Sequence, residues 1–296
     1  MAEIFGVIAG ALSVAALFNN CVASFEYIQL GRHFAQDYER CQLKIDIAQA
    51  NLSRWGQAIG IDQDSRFATD NSEDESVSLA QEILVQIGVL LQTLEDESKR
   101  YTERKKRTKT VTAEDLEHLQ VQNMQPVAQR LHSRFKANVS QRQKGTSFVK
   151  KAAWALYDGK NFEKLVNEVK GLVGDLEKLF PPDERVRHTL VEMEIEEVDD
   201  EQSLQVLQNA AADTDSALSQ VVSEKLQAIG GNYAGDIQTE DSARVRVGNE
   251  WAPVVLTSGH QYRADQTRNE AGSIKAGKLS AVHIGTNYGG RGIFDN

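Results

Sequence analysis

The sequence predicts a mainly α fold: a helical bundle followed by a tail that is disordered as a monomer and a β-solenoid in an amyloid state. Three observations carry this reading. Apolar residues recur at three- and four-residue spacings as far as Ile229, that rhythm stops at Gly230, and the tail beyond it contains one motif twice at an offset of 37 residues. At 296 residues the chain exceeds an average domain, and the break divides it into a helical domain at 1–228 and a tail at 229–296.

The chain opens on an apolar run, Ile4 to Phe25, in which Cys21 is the sole ionisable side chain. As a helix this run would measure about 33 Å, close to the hydrocarbon thickness of a bilayer. A secretory signal would begin on a basic residue, whereas Glu3 is acidic. A permanent transmembrane helix is disfavoured by Ser13, Asn19, Asn20 and Ser24, and by the lack of a flanking base before Arg32. What remains is a helix stored in or against a soluble domain, with residues 1–25 as a candidate membrane-inserting segment. Within it Gly6 and Gly10 make a small-xxx-small face suited to close helix contact in lipid, and Leu12 lies mid-run.

Tyr27, Leu30, Phe34, Leu43, Ile47 and Trp55 predict an amphipathic helix from Glu26 to near Gly56. The polar, acidic stretch from Asp62 to Ser76 reads as a loop. Leu79, Ile83, Ile87, Leu90 and Leu94 predict a helix from Val77 to Leu94. The basic run that follows, Lys99, Arg100, Arg104, Lys105, Lys106, Arg107 and Lys109, reads as a solvated loop, with a nuclear-import signal or an anionic-lipid contact as the alternatives. Thr112 and Asp115 resemble a capping box that opens a helix through Val139. Further helices are expected over Ser147 to Leu156, Lys160 to Phe180 and Ser203 to Ile229, the second stopped by Pro181 and Pro182. The acidic segment from Glu192 to Glu201 reads as a solvated connection or a short strand, with the basic run as a conceivable partner.

In the tail, NYAGDIQTEDSARVRVGN at 232–249 aligns with NEAGSIKAGKLSAVHIGT at 269–286. Six positions are identical, Asn232/Asn269, Ala234/Ala271, Gly235/Gly272, Ile237/Ile274, Val245/Val282 and Gly248/Gly285. Ala243, Val245 and Val247 alternate with polar residues in the first copy, and Val282 and Ile284 do so after Ser280 in the second; period two with β-branched residues predicts strands, with the glycines at corners. One such unit cannot cover its own edge. Stacked units pair every backbone group, and two copies per chain need further chains to complete the stack. A small β-hairpin appendage and a disordered tail are the alternatives. Stacking at this offset would place Asp241 beside Lys278, an attractive pair, and Arg246 beside His283, tolerable while the imidazole is neutral.

Nothing in the sequence supports catalysis: GxxxxGK[ST], HExxH and CxxC patterns are lacking, and the six histidines are scattered. No cofactor or metal site is expected. A pI near 5.2 gives no reason to expect nucleic acid, and Cys21 and Cys41, outside any metal-type or disulfide spacing, suit the cytoplasm.

The stretches AGALSVAALFNNCV (9–22), FEYIQLGRHF (25–34), YERCQLKIDIA (38–48), LSRWG (52–56), AWALYDGK (153–160), EIEEV (194–198) and NYGGRGIFDN (287–296) resemble the fungal heterokaryon-incompatibility HET-s/HET-S family along the whole chain. The resemblance implies an N-terminal helical HeLo domain and a C-terminal prion-forming domain whose repeats make a β-solenoid of two windings per molecule. It implies templating by NLR-type receptors carrying the same motif, and fibril formation that drives the N-terminal segment into membrane lipid: a pore-forming cell-death effector, cytoplasmic when soluble and at the plasma membrane once activated. The alternative is a prion or adaptor protein that propagates amyloid without membrane activity of its own. The implied solenoid core is Ala234, Ile237, Thr239, Ala243, Val245 and Val247 in the first winding and Ala271, Ile274, Ala276, Ser280, Val282 and Ile284 in the second. Asn232, Asn249 and Asn269 match asparagine-ladder positions, the fourth being Thr286, with Gly248 and Gly285 at turns. Three inter-winding salt bridges of the family are not formed here, where Gly235 stands over Gly272, Glu240 over Gly277 and Ser242 over Leu279. Ala23 and His33 resemble the toxic, pore-competent form rather than the prion-only form.

Overall fold

The computed structural model describes residues 12–68, 74–108, 118–143, 152–229, 232–251 and 269–288. The chain divides into two compact units, Met1–Val222 and Ser223–Asn296, so the boundary falls inside a helix. The first unit contains α1 (Val14–Ser24), β1 (Ile28–Leu30), α2 (Tyr38–Ala58), α3 (Glu75–Thr108), α4 (Pro126–Arg142), β2 (Trp154–Leu156), α5 (Gly159–Leu179), α6 (Glu184–Glu194), α7 (Glu201–Ala211) and the start of α8 (Ser216–Ile229).

Helix α2 is the axle of this unit. It packs against α1, α4, α5, α6 and α7, and it is buried on all faces, Lys44, Asp46, Gln49 and Arg54 included. A helix enclosed in this way must satisfy its polar groups internally. Gln49 accordingly donates to the Val22 carbonyl at 3.0 Å, and Asp46 accepts from Gln42 at 3.2 Å and meets His132 Nδ1 at 2.7 Å. Side-chain caps set the starts of several helices, among them Ser13 for α1, Asp158 for α5, Asp183 for α6 and Asp200 for α7. Strands β1 and β2 pair in parallel, Ile28 with Trp154 and Leu30 with Leu156.

Several expectations are corrected. The helix foreseen from Glu26 begins at Tyr38; before it lie a 3-10 turn, β1 and a second 3-10 turn, Arg32–Phe34, because β1 pairs with a strand more than a hundred residues on. The basic run is helical as far as Thr108, the long amphipathic stripe carrying the helix past Leu94. Of the expected stripe Ile87, Leu90 and Leu94 are buried; in the first turns it is shifted, with Leu79 exposed and Val77, Ala80 and Leu84 buried in its place. The capping box at Thr112 and Asp115 lies outside the described residues, and the helix expected from it begins at Pro126. Trp154–Leu156 is strand rather than helix, Glu192–Glu194 closes α6, and the last expected helix is two, broken between Ala211 and Ser216.

The second unit repeats one path twice. β3 (Asn232–Thr239), β4 (Arg244–Val247) and β5 (Glu250–Trp251) pair in parallel with β6 (Asn269–Ala276), β7 (Ala281–Ile284) and β8 (Asn287–Tyr288). Every partner lies 37 residues away: Asn232 with Asn269, Ile237 with Ile274, Val245 with Val282, Glu250 with Asn287. The backbone repeats at its corners too, with positive φ at Asp241 (55°) and Lys278 (54°) and again at Gly248 (129°) and Gly285 (149°).

Candidate functional site: a docked N-terminal helix and two stacked repeats

Within the apolar start, Ser13 takes an extended backbone and its hydroxyl accepts from the Ala16 amide at 3.3 Å, so the helix begins at Val14. Leu12 stands before the cap, half-buried, its carbonyl accepting from Gln81 at 3.4 Å. Gly6 and Gly10 lie outside the described residues. Val14, Leu17, Phe18, Cys21, Val22 and Ala23 are buried, and Phe25 after them. The Phe18 ring lies on Gly56 and meets Trp55 edge-on at 6.0 Å between centroids. Polar contacts hold the same helix: Cys21 Sγ to the Leu84 carbonyl at 3.2 Å, and Asn19 Nδ2 to Asp62 at 2.9 Å. His33 is exposed in the turn Arg32–Phe34.

Beside this docked helix is a buried ionic cluster that sequence reasoning missed. Arg54 of α2 donates to Glu194 at the end of α6 (2.7 Å) and to Asp215, the residue that precedes α8. Arg142, at the end of α4, lies 2.7 Å from the other Glu194 oxygen. Asp215 also accepts from the Ala217 and Leu218 amides at 3.1 Å, capping α8. Burial opposes a charged guanidinium, and the two carboxylates outweigh it, holding Arg54 firmly protonated. Four chain segments are thereby joined through two cations and two carboxylates. The available signal was Glu194 inside an acidic run, which reads as surface until Arg54 and Arg142 are found against it; Arg134 likewise takes Glu197, at 2.5 Å.

In the tail the expected core residues fall at equivalent places of the two windings but with unequal cover. Ile237 is 47% exposed and its partner Ile274 is 6% exposed. Thr239 is likewise exposed, whereas Ala271 and Ala276 are buried. Ala234, Ala243, Val245, Val247, Ser280, Val282 and Ile284 are half-buried. The asparagines form a ladder: Asn269 Nδ2 donates to Asn232 at 2.7 Å and to Asn249 at 3.0 Å. At the fourth place the Thr286 backbone amide donates to Asn249 Oδ1 at 2.7 Å, so part of the rung persists without an asparagine. One charge expectation is corrected. Asp241 and Lys278 share a corner and are both exposed, yet no ion pair joins them. Arg246 stands opposite His283 in the register, as expected, and its guanidinium pairs with Glu250, four residues on; the His283 Nε2 lies 2.8 Å from the Gly248 carbonyl.

Two family models match: the HeLo model, described as prion inhibition and propagation, over residues 6–207, and the model described as Het-s 218-289, over residues 225–289. The chain belongs to the HeLo family. Heterokaryon incompatibility protein s of Podospora anserina is 48% identical over 297 residues, and heterokaryon incompatibility protein S of the same species 49% identical, each covering 100% of both chains. Among solved structures, the HET-s N-terminal domain matches with a TM-score of 0.69 and 50% identity, covering 74% of this chain and 99% of that one. A double mutant of that domain matches with a TM-score of 0.68, again at 50% identity, over 73% and 99%. Its two replaced positions, 23 and 33, become alanine and histidine, the residues found here as Ala23 and His33. These relatives make the chain a prion-related heterokaryon-incompatibility protein, with a helical HeLo domain and a tail of paired repeats. The structure draws that tail in its two-winding form.

Among the described residues no group of three His, Cys, Asp or Glu side chains is placed to hold a metal ion.

Proposed function

We propose that the protein is an amyloid-triggered, membrane-disrupting cell-death effector in heterokaryon incompatibility or NLR-type signalling. The observation that carries this reading is the placement of α8. Its first turn is capped by Asp215 and tied to Arg54, its Leu218 and Val222 are buried, and its last residue, Ile229, stands three residues before the first strand of the repeats. Stacking of the repeats onto other chains therefore acts on a helix anchored in the same buried cluster that α2 supplies, and α2 in turn carries Gly56 and Gln49, which hold α1. Loss of that anchorage would free an apolar helix for lipid. In this reading the tail is disordered until templated, by another copy of the chain or by an NLR-type receptor with the same repeat. The protein is cytoplasmic when soluble and at the plasma membrane after activation. Ala23 supports the toxic form: a carboxylate at this buried position would oppose both docking and insertion.

A second reading, a prion or adaptor protein without membrane activity of its own, is favoured by the Ser13 cap. Helix α1 has 11 residues, about 16 Å, and a spanning helix must extend through Ser13 and Leu12 to reach bilayer length. Leakage from liposomes, after fibrils of residues 231–296 are added to the full-length protein, separates the two. Leu12→Lys is expected to abolish seeded leakage while leaving fibril formation intact, provided circular dichroism shows a folded domain. Leakage that survives in folded Leu12→Lys excludes a spanning helix through Leu12, and absence of leakage in the wild type favours the adaptor.

A further inference from the structure

We propose that the C-terminal end of α3 is a docking surface for anionic phospholipid, by which the protein is brought to the membrane it acts on. This rests on the membrane-effector reading above. The last ten residues of α3, 99–108, contain six bases and one acid, a local charge of +5 in a chain whose net charge is −10. One or two cations at a helix C-terminus answer the helix dipole. Six, beginning more than two turns before the end, exceed that need.

Their arrangement is set by the fold. The helix is fixed to the domain at Ser98, whose hydroxyl donates to the Ala155 carbonyl at 2.6 Å, and at Tyr101, which stacks on Tyr157 with ring centroids 4.9 Å apart. Lys99 pairs with Glu95 at 2.5 Å, and Lys105 lies over the Tyr101 ring. Arg100, Arg104 and Arg107 are exposed, and their spacing of four and three residues puts them on one helix face. A guanidinium row beside an aromatic pair suits the headgroup zone, where phosphate accepts paired N–H donors and a tyrosine ring sits at the polar boundary. The apolar segment at residues 4–25 has no base beside it before Arg32, so attraction to an acidic leaflet must come from elsewhere in the chain. The same rigid helix supplies it: Leu84, where Cys21 docks, and Arg104 are 20 residues apart, about 30 Å along the axis.

The test is sedimentation of the full-length protein with vesicles of phosphatidylcholine, with and without about 30 mol% phosphatidylserine, before and after seeding. Wild type should bind the anionic vesicles, release them in about 0.5 M salt and ignore the neutral ones. The triple variant Arg100→Gln, Arg104→Gln, Arg107→Gln should lose about 100-fold in affinity, at about fivefold per cation, while its tail still forms fibrils. A Lys160→Gln, Lys164→Gln control on α5 should bind like wild type. Equal binding by the triple variant, or equal binding of wild type to neutral vesicles, overturns the proposal. So does arginine-dependent binding to labelled duplex DNA without vesicle binding, which would make the row a nucleic-acid contact. Arginine-dependent vesicle binding with no seeded leakage would leave this surface standing and remove the pore reading instead.

Discussion

The ring of Phe18 rests on the backbone of Gly56, so close that a Cβ at position 56 would fall within 3.0 Å of three ring carbons. In an ordinary helix interior glycine is about 1 kcal/mol worse than alanine. Here its absence of a side chain is what lets α1 lie on α2. Gly56→Ala should therefore destabilise the domain by about 1–3 kcal/mol despite its better helix propensity. For a domain of this size that lowers the midpoint of thermal unfolding by about 2–12 °C. Limited proteolysis should also cut within α1 sooner than in wild type.

Arg54 is the counter-ion for Glu194 and Asp215 where all three are nearly inaccessible, with side-chain exposures of 2%, 0% and 3%. Arg54→Met keeps the volume and removes the charge. Breaking one side of a buried pair costs about 3–5 kcal/mol because the partner is left charged and unsolvated. The lower end is expected, since Arg142 still faces Glu194 and Asp215 still caps α8. Chemical denaturation measures the loss. A change within about 0.5 kcal/mol would show that the cluster does not hold the four segments together.

Alkaline pH should weaken the HeLo domain through two buried groups. Burial, and Asp37 after it, push the Cys41 thiol up from 9.0 to about 11, and burial with Asp46 pushes the Tyr38 phenol up from 10.0 to about 12. Both folded values lie above the unfolded ones, so the unfolded chain releases these protons first. Their contribution is complete below pH 9 and is lost as pH rises from about 9 to about 12. Denaturation midpoints measured across that range should fall with pH, and more gently in Cys41→Ala.

Gly235 faces the second winding, and Gly272 faces onward to the open side of the stack. A Cβ on Gly235 would strike the Gly272 carbonyl, whereas a Cβ on Gly272 meets nothing within 4 Å in the single chain. If windings from successive molecules stack in the same register, that open side is where the next chain's position 235 arrives. Gly272→Ala should then slow elongation of the 231–296 segment about as much as Gly235→Ala. In a closed two-winding appendage it would be harmless. Val245→Pro or Ile274→Pro, each a proline inside a strand, should block assembly of the segment.

The repeat was the most legible part of the chain, because strand register is a matter of offset and 37 can be counted from identities such as Asn232 and Asn269. Cover is not a matter of offset, so the difference between Ile237 and Ile274 was not visible. Helices with strong local signals, such as α5 between the Asp158 cap and Pro181, were foreseen almost to the residue. Boundaries set by distant partners were not. Residues 28–30 look helical until Trp154 is found beside Ile28, and Glu194 reads as solvated until Arg54 is found beneath it. The break at Ser13 was hidden by an unbroken apolar run in which a serine at a cap and a serine inside a helix look alike.

The central claim, that assembly of the tail releases the N-terminal helix, can be read at one atom. Cys21 is fully buried against α3, its thiol directed at the Leu84 carbonyl. In a Cys41→Ala background it is the single thiol of the chain. The measurement is the rate of its alkylation in the full-length protein before and after addition of preformed 231–296 fibrils, without lipid. The account predicts slow labelling of the resting protein and labelling faster by at least about tenfold once the tail has joined the fibril, since a locally opened helix exposes what the closed one protects. Unchanged protection of Cys21 in protein whose tail is fully fibrillar would contradict it.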